Sequence, residues 1–533
     1  MPNAFTWVFS RVLGKREAIT AKTAGRPPGR REMPAPARRS GAPARESEPP
    51  VVRAIRSRLG SPTDLVVRRV RATGRRARRG QVYWVVFLES LADRQLISEG
   101  ILQVLGTRPD FEEQNAAGDV APLLVPEIVA TRSVDRAMQK LLDGWVAVFP
   151  PGTNVIWLAD ASGRPSRAVE EPQAETGVRV PREGFTELLD TNVGLLRARI
   201  RHPGLRIEER RVGARTGTRV ILAYVVDLID PDFLETVRTR TRRVRIDGIV
   251  ESGYVEEFIE DSPYSPFPQT LRTERPDVVA ANLLEGRFAI LTDGTPFALV
   301  GPVVLIQLLT VAEDYYERFA VGSLLRSLRL AAFTVSIILP GLYVAISTYH
   351  YELVPTSLLL SIASAREAVP FPTLVEVLLM EFQLEVLREA GVRLPRGVGP
   401  AVSIVGALVL GQAAISASLV SPATVIVVAM TAISSFATPV FSIAITARMI
   451  RFLFTLGGAA LGLFGVQAAG VVLLIHLCAL RSFGIPYLAP LAPLQLSDWK
   501  DFVIRMPWWA MTRRPRFVLP KDSRRVDPGV GPA

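Results

Sequence analysis

Beyond residue 330 the chain carries apolar runs of a length that few water-soluble folds can use. Segments 330–349, 398–420, 423–447 and 452–480 contain no Asp, Glu, Lys or Arg. A helix needs about 20 mostly apolar residues to cross the hydrocarbon of a bilayer. The run lengths therefore predict four firm spans at those positions, within an α-helical polytopic membrane domain over 293–490. Two more segments read as weak or re-entrant. Segment 296–311 is apolar but short, and 371–387 is apolar but holds Glu376, Glu381 and Glu385.

The rest of the chain is of another kind. Charged residues make up 21% of the sequence, yet mean hydropathy is +0.25. Both hold only if apolar residues are concentrated in one part. Residues 1–60 are rich in Pro, Arg, Ala and Gly and hold 13 Lys or Arg against 4 Glu. Such a stretch has too few apolar groups to offset chain entropy and reads as a disordered basic tail. No aromatic residues interleave its arginines, which speaks against a nucleic-acid site. Residues 61–292 alternate strand and helix patterns and read as an α/β domain of two subdomains, 61–165 and 166–292. Strands are expected at 82–88, 144–149, 155–159 and 220–226, and helices at 91–105, 133–142, 185–199 and 232–243. The Pro- and Gly-rich stretch 163–184 reads as a linker.

Catalysis finds little support. Cys478 is the sole cysteine, and His202, His350 and His476 are far apart, so no metal-ligand spacing exists. There is no G-x-G-x-x-G and no Walker A sequence, hence no expected cofactor. Asp293-Gly294-Thr295-Pro296 is a turn sequence. No nucleophile–base pair can be named, and no enzyme activity is expected.

No secretory signal opens the chain, which puts the α/β domain on the cytoplasmic side. Arg318, Arg326 and Arg329 precede the first span, and a basic cytoplasmic tail, 491–533, with Arg505, Arg513, Arg514 and Arg516 follows the last. The bias of basic residues to the cytoplasmic face puts both ends there and requires an even number of spans. Arg448 and Arg451 conflict with this, because they fall between the last two predicted spans.

Short motifs run in order along the chain. They are Thr191-Asn192-Val193-Gly194-Leu195-Leu196-Arg197-Ala198-Arg199-Ile200, Pro266-Phe267-Pro268-Gln269, Thr273-Glu274-Arg275-Pro276-Asp277 and Leu284-Glu285-Gly286-Arg287. Next come Asp293-Gly294-Thr295-Pro296-Phe297 and Glu313-Asp314-Tyr315-Tyr316. The apolar half adds Arg388-Glu389-Ala390-Gly391, the run from Gly406 to Ala414, and Gly484-Ile485-Pro486-Tyr487-Leu488. This ordered set resembles the A-subunit type of the GerA family of spore germination proteins. The resemblance implies a multi-pass subunit of a spore inner-membrane germinant receptor. Its implied partners are a transporter-like B subunit that recognises the nutrient, a lipoprotein C subunit, membrane lipid, and further copies of itself in a ring that conducts ions. Two alternatives remain: a SpoVAF-type companion channel, and a transporter-like protein that itself binds the nutrient. The second lacks the paired internal repeat common in transporters. The basic N-terminal stretch is longer, and the Arg run after Leu196 sparser, than the family pattern.

An ion path needs polar or small groups at membrane depth. Val405, Val409, Gln412 and Ser416 lie at i, i+4, i+7 and i+11, one helical stripe. In a ring, Val409 would form an apolar constriction above a polar lining. Ser357, Ser361 and Ser364 form a rival stripe, and Glu381, Glu385 and Glu389 share a third face. The first two patterns also serve ordinary helix packing, and the carboxylates also suit the solvated face of an amphipathic helix. Gly458, Gly462 and Gly465 read as close-approach positions, and Pro340-Gly341 and Thr438-Pro439 as interruptions of spans.

Overall fold

A computed structural model describes residues 48–72, 82–107, 123–163, 172, 175, 177, 179–393 and 399–527. Contacts divide the chain at Pro49 and Pro50, and the fold below is that of the unit from Pro50 onward. Residues 1–47 of the expected tail, and most of the expected linker 163–184, lie outside the described residues.

The expected tail ends earlier than residue 60. Pro50–Leu59 is a helix, α1, with Val52, Ile55 and Leu59 fully buried. Those positions are i, i+3 and i+7, one helical face. The Pro/Arg-rich composition of the whole window had masked that face. There follow β1 (Leu65–Arg71), β2 (Val82–Leu88), a π-helical stretch Leu96–Leu102 running into α2 (Gln103–Thr107), β3 (Ile128–Thr131), α3 (Val134–Leu142), β4 (Val146–Phe149) and β5 (Ile156–Ala159). The five strands form an antiparallel sheet in the order β1-β2-β4-β5-β3. Side chains alternate between faces along a strand. Val85, Phe87, Val146, Val148 and Trp157 therefore pack on Ile97 and Ile101 on one side. Val86, Leu88, Ala147 and Leu158 pack on Ile55, Leu59, Met138 and Leu141 on the other.

The second subdomain repeats the plan. It comprises α4 (Leu189–Arg199), β6 (Leu205–Val212), β7 (Thr218–Val225), α5 (Pro231–Arg243), α6 (Ser252–Ile259), β8 (Leu271–Thr273), α7 (Pro276–Leu283), β9 (Phe288–Thr292) and β10 (Ala298–Gly301). Its antiparallel sheet runs β6-β7-β9-β10-β8. β10 corrects the expectation of a weak span at 296–311. That segment is a fully buried inner strand followed by a one-turn helix, α8 (Leu305–Leu308). A short apolar run cannot be told from a buried strand by hydropathy alone. The subdomains are clamped by Arg197, which has no solvent exposure. Its guanidinium donates to Asp64 at 2.5 and 2.8 Å, and Ser90 donates to the same carboxylate at 2.7 Å.

After α9 (Glu313–Tyr316) comes the apolar half: α10 (Phe319–Tyr349), α11 (Thr356–Arg366), α12 (Thr373–Arg393), α13 (Gly399–Ser416), α14 (Pro422–Phe436) and α15 (Phe441–Ala479). By length and composition, α10 and α15 can cross a membrane. The break between the last two apolar runs falls at 437–440, at Thr438-Pro439, and not at Arg448 to Arg451 as expected from charge. A proline cannot donate to the helix ladder and restricts the residue before it, so the chain breaks there.

α15 is not one straight rod. At 39 residues it would run about 58 Å. Gly462 has φ 63° and ψ −143°, outside helical geometry. A Cβ on Gly465 would meet the carbonyl of Gly457, and one on Gly458 would stand 3.3 Å from Val466 Cγ2. Residues eight apart touch only if the chain reverses. Both limbs also return to one loop: Thr446 donates to the Pro266 carbonyl, and His476 Nε2 lies 2.9 Å from Ser265 Oγ. α15 is therefore an antiparallel helical hairpin, 441–461 and 463–479, turning on Gly462. The expected span 452–480 straddles that turn.

The end of the chain is not a free tail. Between residues 491 and 527, Phe502, Met511 and Val518 are buried, and so is Arg505. The segment folds back on the second subdomain and on the start of α10. Lys521 N donates to Leu228 O at 2.9 Å, Arg514 Nε to Leu284 O at 2.8 Å, and Arg505 N to Ser323 Oγ at 3.0 Å. Residues 528–533 lie outside the described residues.

Candidate functional site in the apolar half

Helix α12 carries Glu376, Glu381, Glu385 and Arg388 along about three turns. Their partners lie on α11, α14 and α15. Glu376, with no solvent exposure, accepts from Ser421 N at 2.8 Å and from Thr424 Oγ1 at 2.9 Å. Ser421 is the N-cap of α14, and Pro422 stands in its first turn. A carboxylate there satisfies free N–H groups and faces the positive end of the helix dipole. Arg366 Nε of α11 lies 3.4 Å from the same carboxylate, and Tyr343 of α10 reaches Thr424 at 3.2 Å.

One turn and a half further on, the carboxylates meet arginines of α15. Glu381, 2% exposed, lies 3.7 Å from Arg451 Nη1, and Glu385 accepts from Arg448 at 2.6 Å. The pairing runs antiparallel, 381 with 451 and 385 with 448. Arg388 donates to Glu385 at 3.3 Å and to Ser435 Oγ at 3.2 Å, and its guanidinium lies 5.3 Å from the Phe436 ring. This seam dissolves the conflict over orientation. Arg448 and Arg451 are interior helix residues, so they are not loop charges and give no vote on sidedness.

Arg451 has a second partner. Its Nε donates to the carbonyl of Ser336 at 2.8 Å. In an α-helix that carbonyl would accept from residue 340, which is Pro340 and has no N–H. The arginine thus satisfies the acceptor that the proline leaves free. Gly341 beside it permits the approach, since a Cβ there would run into the Phe454 carbonyl, and Gly458 in turn packs on the Gly341 carbonyl. Three helices, α10, α12 and α15, converge on this one guanidinium.

The expected pore residues fall elsewhere. Val409, Gln412 and Ser416 lie on one face of α13, exposed in the single chain, with Val409 at 55%. Val405 belongs to the same helix, and its side chain lies outside the described residues. Ser357, Ser361 and Ser364 are exposed on α11, a helix without a buried residue, where Ser364 Oγ donates to Ser361 O at 3.0 Å. The two stripes belong to different helices. Glu381 and Glu385 do not form a free carboxylate face, because arginines of the same chain engage both. Glu389 is taken by Arg393 at 2.5 Å. Sequence reasoning missed Arg448, Arg451 and the capping role of Glu376. The signal was present: two Glu at i, i+4 and two Arg at i, i+3, each on one face of an apolar helix, are complementary. Reading the arginines as a loop hid it.

The loop Pro266-Phe267-Pro268-Gln269, singled out among the motifs, is the seat of the hairpin on the α/β domain. Besides the contacts of Thr446 and His476, Tyr487 donates to the Pro268 carbonyl at 2.8 Å, and Ser482 to that of Gln269 at 2.7 Å. The α/β domain therefore touches both limbs of the hairpin and the strand pair β11 (Arg481–Ser482) and β12 (Ile485–Pro486) that follows.

Comparison with known proteins agrees with the sequence motifs. Residues 53–517 match the family described as "Bacillus/Clostridium GerA spore germination protein". Spore germination protein KA of Bacillus subtilis (strain 168) is 43% identical over 470 residues, 88% of this chain and 86% of that protein. Spore germination protein GerLA of Bacillus cereus is 39% identical over 479 residues, 89% and 96% of the two chains. Among solved structures, the N-terminal domain of the A subunit of the Bacillus megaterium spore germinant receptor GerK3 matches 48% of this chain and 94% of its own, at 28% identity and a TM-score of 0.37.

Proposed function

The chain belongs to the GerA family of spore germination proteins, and from that premise we propose that it is the ring-forming, multi-pass A subunit of a germinant receptor, which passes ions across the spore inner membrane when a partner subunit binds nutrient. The observation that carries this reading is the outward stripe of α13. Gln412 and Ser416 are exposed on an apolar helix with no cover from their own chain. In hydrocarbon an uncovered amide is costly, so such a face belongs against protein or water. Copies arranged with α13 inward would line a path with Gln412 and Ser416 and narrow it at Val409. An apolar ring holds ions back because water leaves it and nothing replaces their hydration. A transporter-like B subunit and a lipoprotein C subunit are the partners in this reading. α11, which is largely exposed in the single chain apart from the contact of Arg366 with Glu376, offers surface for such neighbours.

Helix directions support passage through a bilayer. α10 starts beside the α/β domain and ends at Tyr349, whose hydroxyl donates to Ala459 O at 2.9 Å near the Gly462 turn. α12 returns, from Glu376 near Tyr343 to Arg388 near Ser435. α13 and α14 go out and back, and the two limbs of α15 do the same. Six passes leave both ends on one face.

The test is Val409→Ser. A lining position gives leak of spore ions without nutrient, measured as potassium or calcium release from dormant spores. A variant that accumulates normally and shows no leak would remove α13 from the path.

A further inference from the structure

A cavity of about 430 Å³ lies where the C-terminal segment closes over the second subdomain. Its wall combines Glu285 and Arg287, from the turn before β9, with Lys500, Arg513, Arg516 and Arg525 of the C-terminal segment. Five cations thus meet three carboxylates, the others being Asp498 and Asp501. The carboxylates are largely spoken for. Asp501 accepts from Arg326 at 2.9 Å and from the Tyr315 hydroxyl at 2.9 Å. Asp498 caps the Arg516 backbone N–H at 2.7 Å. Glu285 serves two arginines, Arg525 at 2.5 Å and Arg287 at 3.4 Å.

The imbalance is sharpest at Arg287. It is 1% exposed, and its Nε, buried in the wall, has no hydrogen-bond partner. Burial pulls its pKa below the usual arginine value. Among the described residues, the guanidinium groups of Arg513 and Arg516 have no carboxylate partner, and Lys500 reaches only the Ala510 carbonyl at 3.4 Å. Arg287 keeps Asn282 Oδ1 at 2.9 Å and Glu285 at 3.4 Å, but its buried Nε is costly to leave without an acceptor. The exposed Arg513, Arg516 and Lys500 stand uncommitted at the rim above it.

We infer that this cavity binds a phosphate-bearing anion, held by Arg287 from beneath and by Arg513, Arg516 and Lys500 from the rim. Arginine forks match phosphate oxygens in pairs, and a phosphate offers enough acceptors to engage several at once. The surroundings favour phosphate over a simple carboxylate. Trp499 stands between the lining residues Asp498 and Lys500, and Trp508 lies 5.7 Å from the ring of the lining residue Tyr315. Both are exposed, and the segment is bonded to Ser323 in the first turns of α10. Tryptophan and basic residues at the end of a span-length helix sit where phospholipid headgroups lie. The same chemistry also suits a free phosphate compound.

The test uses the full-length chain in phosphatidylcholine nanodiscs, titrated with sodium phosphate against sodium chloride of matched ionic strength. A parallel sample replaces part of the lipid with phosphatidylglycerol. Thermal unfolding and calorimetry are read. A ligand that binds only the folded state raises Tm. A rise with phosphate identifies a free anion as the source, and a rise with phosphatidylglycerol alone identifies a headgroup. Either supports the site, provided R513Q/R516Q weakens the response on the order of tenfold or more while leaving the unliganded Tm unchanged. No response in either arm, an equal response to chloride, or a full response in R513Q/R516Q would overturn it. None of these readouts depends on ion conduction, so the inference stands or falls apart from the channel reading.

Discussion

Arg451 gathers three obligations in one side chain: it balances Glu381, fills the carbonyl vacated by Pro340, and sits within the contact of α10 and α15. Removing one partner of a buried ion pair costs about 3–5 kcal/mol, more than the pair itself contributes, because the other charge is left alone. Arg451→Leu should therefore lower stability by about that amount. Part of the loss is the orphaned Ser336 carbonyl, and this part is separable. Pro340→Ala restores an N–H to that acceptor. The double variant Pro340→Ala/Arg451→Leu should be less damaged than the two single effects predict, with a coupling on the order of 1 kcal/mol. Detergent-resistant thermal unfolding of the four proteins measures it, and strict additivity would break the link between proline and arginine. The complementary charges on α12 and α15 were visible in the sequence as spacings. The acceptor left by Pro340 was not, because only the crossing of α10 and α15 shows which side chain reaches it.

Among the elements, the strands and helices of the α/β domain were the most legible. The strand expected at 82–88 is β2, and the helix expected at 133–142 is α3 with Ser133 as its cap, accepting from Arg136 N at 3.3 Å. The first is an unbroken run of β-branched and aromatic residues, and the second has a clear helical period behind a capping serine. The α15 hairpin had neither. Apolar residues continue through Gly462 without a polar break, so composition gave no reason to divide the run. The turn rests on one backbone conformation. Positive φ with ψ near −143° is open to glycine and costs an L-residue about 1–3 kcal/mol, and a Cβ there would stand 2.6 Å from the His350 ring. Gly462→Ala should lower Tm and shift the limbs, whereas Ala at Gly470, whose Cβ would stand 3.9 Å from Phe454, should be nearly neutral. Cysteines placed at Gly457 and Ala469, whose Cβ atoms would stand 3.7 Å apart, report the limb contact directly: they should cross-link, and failure there would mean that the rod is straight.

At the scale of the molecule, the α/β domain, the ends of the hairpin and the C-terminal segment share one end of the helix bundle, and the Pro266 loop is their meeting point. The basic residues flanking the apolar half predict both termini on one face, and the six-pass reading proposed above expects the same. The C-terminal segment was the least legible part. It has almost no regular structure, and its Arg and Pro content resembles that of a tail. Its fold comes from contacts spanning nearly two hundred residues: Arg326 Nη1 donates to Asp501 and to the Phe502 carbonyl at 3.1 Å, and Tyr315 stacks near Trp508. A chain ending at Pro490 should lose cooperative unfolding and accumulate poorly in membranes, because it leaves buried Arg326 and Arg329 to share Asp314 alone. An unchanged Tm and yield would show that the segment only rests on the surface.

That closure also sets an order of events during synthesis. Arg326 leaves the ribosome long before Asp501. Until then Arg326 and Arg329 share the carboxylate of Asp314, so the base of the first long helix waits with one positive charge unbalanced. Residues 491–527 are translated after every helix of the apolar half, and they complete the junction between the two halves. A premature stop just after Pro490 leaves that junction open, so it should be as harmful as one that removes a helix.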